Sequence, residues 1–324
     1  MSELRWNPLL EEWVITATHR QDRTFLPPRE QCPLCPTPLG DPPSEIERDT
    51  YEIVVFENRF PSLRQSPPEP AVTGTDLTPV RPAAGVCEVV VYTSQHDATL
   101  AALPQRQIEH LIAAWAHRTQ QLGARSEVEY VFAFENRGEA IGVTLHHPHG
   151  QIYAYPYLPP TLQREAAAAE RHRSKHGGCL WCDLAEQERS EGRRMVMETS
   201  TWQASVPFAA RWPYEVHLSP RRHVGWLHEL TRAEASELAG VLKRLLIGYD
   251  RLFGFPLPYV MAIHQRPTGG SPHAGYHLHI EFYPPNRSEA KLKYLAGSEA
   301  GAGAFINDTL PEESAARLRE ALPS

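Results

Sequence analysis

Apolar and polar positions alternate along this chain in two different rhythms. Two long stretches, "PQRQIEHLIAAWAHRTQQLG" (104–123) and "RAEASELAGVLKRLLIGYDRLFG" (232–254), repeat apolar residues every three to four positions, which predicts amphipathic helices. Short β-branched and aromatic runs flank each of them and predict strands. Before the first helix come "YEIVVFENRFPSL" and "VCEVVVYTSQHDATLAALP"; after it come "VEYVFAFENRG" and "LHHPHGQIYAYP". The second helix has "WQASVPFAARWP" and "YEVHLSPRRHVGWLHELT" before it, and "LPYVMAIHQRP" and "YHLHIEFYPP" after it. One order of elements therefore occurs twice. We expect an α+β fold of two tandem units, each a mainly antiparallel sheet with packed helices, divided as 1–170 and 171–324. The proline-rich stretch 61–85 is expected to be an irregular loop.

Composition narrows the class. With 324 residues, 41% of them hydrophobic, the chain can bury a sizeable core. Its net charge of -7 is mild, and no basic run marks a nucleic-acid footprint. No apolar stretch approaches the ~20 residues a spanning helix needs. The start, "MSELRWNPLLEEWVITATHR", lacks the basic and apolar regions of a secretory signal. Cytoplasmic localisation, with no nucleic-acid or membrane partner, is the expectation.

Four of the five cysteines form two C-x-x-C pairs, Cys32 with Cys35 and Cys179 with Cys182. An odd count in a reducing compartment favours metal or redox work over disulfides. Cys87, in "VCEVVVY", reads as a small buried hydrophobe. Each pair opens one copy of the repeat. A histidine follows, His96 or His223, and an H-x-H segment closes the copy, His147 with His149 or His277 with His279. The offsets are 35 to 96 and 96 to 147 in the first copy, 182 to 223 and 223 to 277 in the second. The proline-rich loop accounts for most of the mismatch. Two thiolates and two imidazoles suit tetrahedral zinc. Cys32, Cys35, His96 and His147 supply that set once, and Cys179, Cys182, His223 and His277 supply it again. One or two zinc ions per chain are expected, each in a closed structural site.

That leaves "HHPHGQ", 146–151. If this stretch is a strand, His147, His149 and Gln151 share a face. His149 then stands beside a metal-tied neighbour with its own imidazole free. A neutral imidazole can attack phosphorus or an acyl group, and Gln151 can donate to a phosphoryl oxygen. The competing reading makes His149 a third metal ligand or a satisfied polar residue.

With "HPHGQ" behind C-x-x-C and His96, the chain resembles the galactose-1-phosphate uridylyltransferases of the histidine-triad superfamily. The resemblance runs nearly end to end and includes "NPLLEEWVITATHR", "VFENRF", "FENRG", "HPHGQIYAYP", "WPYEVHLSPRRH", "FYPP" and "KLKYLAGSE". It implies histidine-triad-like units and a ping-pong transfer of UMP from UDP-glucose to galactose 1-phosphate. His149 would be the nucleophile, and Gln151 would hold the uridylylated intermediate. By motif match the uridylyl pocket would draw on Arg20, Arg23, Asn58, Asn136, Gly142 and Thr144. Lys293, Tyr294 and Glu299 would serve the hexose phosphate, partly across the interface of a homodimer. Some members have another metal site, which maps to Glu165, His264 and His279, but its last position is Glu281 here rather than histidine. Arg59 stands where an aspartate is common. A nucleotide-sugar phosphorylase or adenylyltransferase of the same superfamily is the neighbouring reading, though such relatives tend to carry serines around the second histidine. A zinc-stabilised nucleotide-binding module without catalysis is the alternative from another class.

Overall fold

Residues 2–23, 25–37, 44–270 and 273–323 are described by the computed structural model of the chain. Its strands are β1 (Ser2–Asn7), β2 (Glu12–Ala17), β3 (Val54–Glu57), β4 (Val80–Pro82), β5 (Val86–Val91), β6 (Tyr130–Arg137), β7 (His149–Tyr155), β8 (Met195–Glu198), β9 (Trp202–Ser205), β10 (Val216–Pro220), β11 (Tyr259–His264), β12 (His279–Tyr283), β13 (Asn286–Ser288) and β14 (Lys291–Leu292). The α-helices are α1 (Gln105–Gly123), α2 (Pro160–His176), α3 (Leu180–Glu191), α4 (Arg232–Phe253) and α5 (Pro311–Ala321).

Nine strands form a single sheet in the order β3-β5-β7-β6-β11-β12-β10-β9-β8, with antiparallel pairing throughout. The repeat is visible in that order. β3, β5, β7 and β6 mirror β9, β10, β12 and β11 about the β6–β11 junction. There Tyr259 pairs with Arg137 and Ile263 with Ala133. The two expected sheets are thus halves of one sheet. Joining them gives β6 and β11, each otherwise an open edge, a partner for their backbone groups.

Period-2 alternation then sorts the two faces. On β7, Ile152 and Ala154 join the main core, while His149, Gln151 and Tyr153 project to the other side. On β12, Ile280 and Phe282 are core, and His279 and Glu281 face away. The core side is covered by the two long helices. α1 buries Ile108, Leu111, Ile112, Trp115 and Leu122, and α4 buries Leu238, Val241, Leu242, Leu245, Leu246 and Tyr249, both at helical spacing. α4 starts in a capping box between Thr231 and Glu234. Pro104 precedes α1 without a side-chain cap.

Two expectations need adjustment. The loop 61–85 contains β4, which pairs with β1 through Glu3–Pro82, Leu4–Arg81 and Arg5–Val80, so Leu63, Ala83 and Cys87 form a small second core with Leu4. Prolines do not prevent this, because β4 is the outer strand of its three-stranded sheet. Also, β7 begins at His149. His147 lies before the strand and does not share its face as expected. The H-x-H turn of the second half has the same layout, since β12 begins at His279. Cys87 is fully buried, as expected of a small hydrophobe.

Candidate active site and metal centres

At the start of β7 three local features combine. Pro148 separates two imidazoles, so the backbone can turn one into the protein and the next toward a cleft. His147 is completely buried among Cys32, Cys35 and His96. His149 accompanies Gln151 in lining a cleft with about 660 Å³ of open space. Gly150 follows because a Cβ there would collide with the Tyr92 hydroxyl and stand 2.9 Å from the Phe134 carbonyl. The remaining walls include Leu34, Phe56, Asn58, Phe60, Val89 and Thr144, with Arg23 and Arg59 supplying positive charge.

The His149 ring is oriented by one bond. Its Nδ1 lies 2.8 Å from the His147 carbonyl oxygen, which can only accept, so Nδ1 carries the proton and Nε2 keeps a lone pair. Burial lowers the His149 pKa and outweighs the opposing effect of that hydrogen bond. The imidazole is therefore neutral at pH 7, the form in which it can act as a nucleophile.

The first Cys2His2 set has the spacing of a single-ion site. Cys35 Sγ is 3.3 Å from His96 Nδ1 and 3.6 Å from His147 Nδ1, and Cys32 Sγ is 3.9 Å from His147 Nδ1. Sulfur and nitrogen on one tetrahedral zinc ion stand roughly 3.5 Å apart. His147 Nε2–H donates to the Thr93 carbonyl at 2.7 Å, which leaves Nδ1 as the atom available to an ion. Burial holds His147 down at about 4. Burial, with Cys32 adding to it, pushes the Cys35 thiol up to about 11, an opposition to thiolate that a bound cation removes.

The second set repeats the pattern. Cys182 Sγ lies 3.4 Å from His277 Nδ1 and 3.7 Å from His223 Nδ1, with Cys179 Sγ 3.8 Å from His277 Nδ1. The Nε2 atoms donate to backbone carbonyls, His277 to Pro220 and His223 to Ala274, each at 3.1 Å. Here the C-x-x-C opens a helix, with Cys179 capping α3.

Behind the second set Glu165, His264, His279 and Glu281 bring their ligand atoms within 4.8 Å of one another. His264 Nδ1 is 3.0 Å from Glu165, and His279 Nε2 is 3.5 Å from Glu281. Although burial acts to lower it, Glu165 and then Glu281 hold His264 up at about 9. The Trp181 indole stacks on His279, with ring centroids 3.7 Å apart and planes 16° from parallel.

The cleft gathers some of the expected binding residues and not others. Arg23, Asn58 and Thr144 line it with His149 and Gln151. Arg20 stands just behind, donating to the Phe60 carbonyl at 2.9 Å. Gly142 closes the turn leading to Thr144 in a left-handed conformation, φ 78°. Asn136 pairs with Val260 at the sheet junction and is not among the lining residues. Lys293 and Glu299 form a buried ion pair of 2.7 Å in the second half, beside an exposed Tyr294 at 72%. None of those three lines the cleft. Sequence reasoning missed Phe56 and Val89, which are register partners across β3 and β5. The alternation in "EIVVFEN" and "VCEVVVY" carried that signal, but not the register.

Comparison with known proteins agrees with this layout. A family model described as the N-terminal domain of galactose-1-phosphate uridyl transferase matches residues 1–159, and one for the C-terminal domain matches residues 165–324. The chain is 44% identical to the galactose-1-phosphate uridylyltransferase of Thermotoga maritima, over 99% of this chain and 98% of that protein. It is 40% identical to the one from Streptomyces lividans, over 98% of this chain and 87% of that protein. A solved structure of a uridylyltransferase superposes with a TM-score of 0.87 at 39% identity, covering 98% of both chains. An ADP-glucose phosphorylase from Arabidopsis thaliana superposes with a TM-score of 0.73 at 25% identity, covering 99% of both.

Proposed function

This chain belongs to the galactose-1-phosphate uridylyltransferase family, and on that premise we propose that His149 carries the group it transfers. The enzyme is a nucleotidyltransferase that moves UMP from UDP-glucose to galactose 1-phosphate. The observation that carries the reading is the His149 ring, neutral and with Nε2 free above a cleft. The Nε2 lone pair attacks the α-phosphorus of UDP-glucose. The bond from that phosphorus to the bridging oxygen breaks, and glucose 1-phosphate leaves with the electron pair. A phosphate oxygen of galactose 1-phosphate then attacks the same phosphorus and releases the histidine. Because such transfer depends on positioning and charge stabilisation, the neighbours matter. Gln151 donates to a non-bridging oxygen. Arg23, Asn58 and Thr144 form the uridylyl end, with Arg20 behind them, Gly142 shaping the turn before Thr144, and Phe56 and Val89 offering an apolar wall.

Cys32, Cys35, His96 and His147 would hold one zinc ion, and Cys179, Cys182, His223 and His277 a second. With four protein ligands each site is closed, so zinc supplies cross-linking to the fold. In this reading residues 1–170 carry the chemistry, and residues 171–324 carry the second metal and the sugar-phosphate segment. Lys293, Tyr294 and Glu299 complete the cleft of a second copy in a homodimer, which suits their absence from the lining of their own cleft and the exposure of Tyr294. The described residues contain no helix long and apolar enough to cross a membrane, and we place the enzyme in the cytoplasm.

Intact-protein mass spectrometry after incubation with UDP-glucose alone tests the reading. One uridylyl group should add, stable to base and labile to acid as a P–N bond requires. A protein that binds UDP-glucose yet never gains mass would be a nucleotide-binding module instead.

A further inference from the structure

Asn58 has its amide orientation settled by the backbone, because its Oδ1 accepts from the Phe60 N–H at 2.8 Å. Its Nδ2 is therefore the end directed at Gln151, 3.4 Å from Oε1. Tyr153 reaches the same atom with its hydroxyl at 3.2 Å. The phenol oxygen itself accepts from Arg20 Nη1 at 3.4 Å, and a guanidinium has no acceptor, so the phenol proton is free to point at Gln151. Arg20 is anchored in turn by the Phe60 carbonyl. Two donors converge on one atom of the Gln151 amide, and that atom has to be the oxygen.

Resting on the reading of His149 and Gln151 above, we propose that Tyr153 is a positioning residue that locks the Gln151 amide with its NH2 group turned into the cleft. A flipped amide would set NH2 against two donors and turn its oxygen toward the phosphoryl oxygens, a repulsion where attraction is needed. Burial raises the Tyr153 pKa, so the phenol keeps its proton. The ring is steadied by an edge-on contact with Phe134, centroids 5.2 Å apart.

The second half contains the same relay. Arg211 Nη2 donates to the Tyr283 hydroxyl at 3.2 Å, and Tyr283 donates to Glu281. Glu281 and Tyr283 occupy on β12 the places of Gln151 and Tyr153 on β7. There the relay ends on a carboxylate, which has no donor end to aim. Only with glutamine does the arrangement acquire a direction.

The test is Tyr153→Phe, which keeps the ring and its packing and removes one oxygen, with thermal unfolding followed alongside. Adduct formation from UDP-glucose is timed in the unmodified protein, Tyr153→Phe, Gln151→Ala and the double variant. One lost hydrogen bond predicts about a three- to tenfold slower uridylylation, carried by kcat with KM for UDP-glucose little changed. The double variant should be no slower than Gln151→Ala alone, because Tyr153 acts only through Gln151. An unaltered rate in Tyr153→Phe, or losses that multiply in the double variant, would overturn the proposal while leaving the His149 reading intact. Absence of any adduct in the unmodified protein would overturn that reading and the proposal with it.

Discussion

His149 opens β7 with a glycine after it and a cleft in front of it; His279 opens β12 with Ile280 after it and an indole stacked on its ring. Their backbones are otherwise alike. Each Nδ1 donates to the carbonyl two residues back at 2.8 Å, and each of those earlier residues belongs to a Cys2His2 set. The difference lies in a few side chains. At the third position of C-x-x-C, Leu34 forms part of the cleft wall whereas Trp181 covers the imidazole. Gln151 is matched by Glu281, which is committed to His217, His264 and His279. The duplicated frame presents a tautomer-fixed histidine in both halves, but of the two only His149 lines an open cleft beside a neutral amide.

The largest effect expected is at the two histidines themselves. His149→Ala should abolish the uridylyl adduct and lower kcat by about 10⁴-fold or more, while His279→Ala should leave the adduct in place. Persistence of the adduct in His149→Ala would erase the distinction between the halves.

The metal sets come next. Elemental analysis should find two zinc ions per chain. Cys32→Ser with Cys35→Ser should remove one and impair adduct formation, since His147 holds the turn before the nucleophile. Cys179→Ser with Cys182→Ser should remove the other and lower stability, leaving adduct chemistry in what stays folded. A single zinc that survives changes at Cys179 and Cys182 would make that pair two ordinary thiols.

Exchanging the residues at Gln151 and Glu281 sharpens the contrast further. Gln151→Glu should slow uridylylation by setting a carboxylate against phosphoryl oxygens. Glu281→Gln should leave transfer close to normal but lower the denaturation midpoint, because His217 and His264 lose a buried counter-charge. A stability equal to that of the unmodified protein would show that the buried network contributes nothing.

The smallest effect concerns the two long helices, one capped and one not. Thr231→Ala should cost about 1 kcal/mol. Glu234 is held at about 2, chiefly by its hydrogen bonds to Arg222. A carboxyl with a depressed pKa contributes stability that is present above about 4.5 and lost as pH falls toward about 2. Glu234→Gln should therefore lower the urea midpoint at pH 7 and matter much less at pH 2. An equal loss at both values would assign the effect to packing.

Much of this was legible from residue order alone. Helical and strand periods located α1, α4 and the strands around them, because each element buries one face and repeats accordingly. Repetition of Cys, Cys, His and His named the same two groups that the fold gathers, since ligand chemistry restricts which residue types can serve. The helices α2 and α3 escaped notice, being less regularly apolar and only partly buried.

What the sequence by itself determined, then, is the repeated order of elements, the donor sets and the place of the H-P-H-G-Q stretch at the end of the first copy. Those are local properties of spacing and residue type. The tertiary structure alone decided that two half-sheets join at β6 and β11, that Phe56 and Val89 wall the cleft, and that the Trp181 indole covers His279. It also decided that Lys293 and Glu299 pair with each other away from their own cleft. Strand register and contacts between distant segments depend on how whole faces pack, and no short run of residues encodes that.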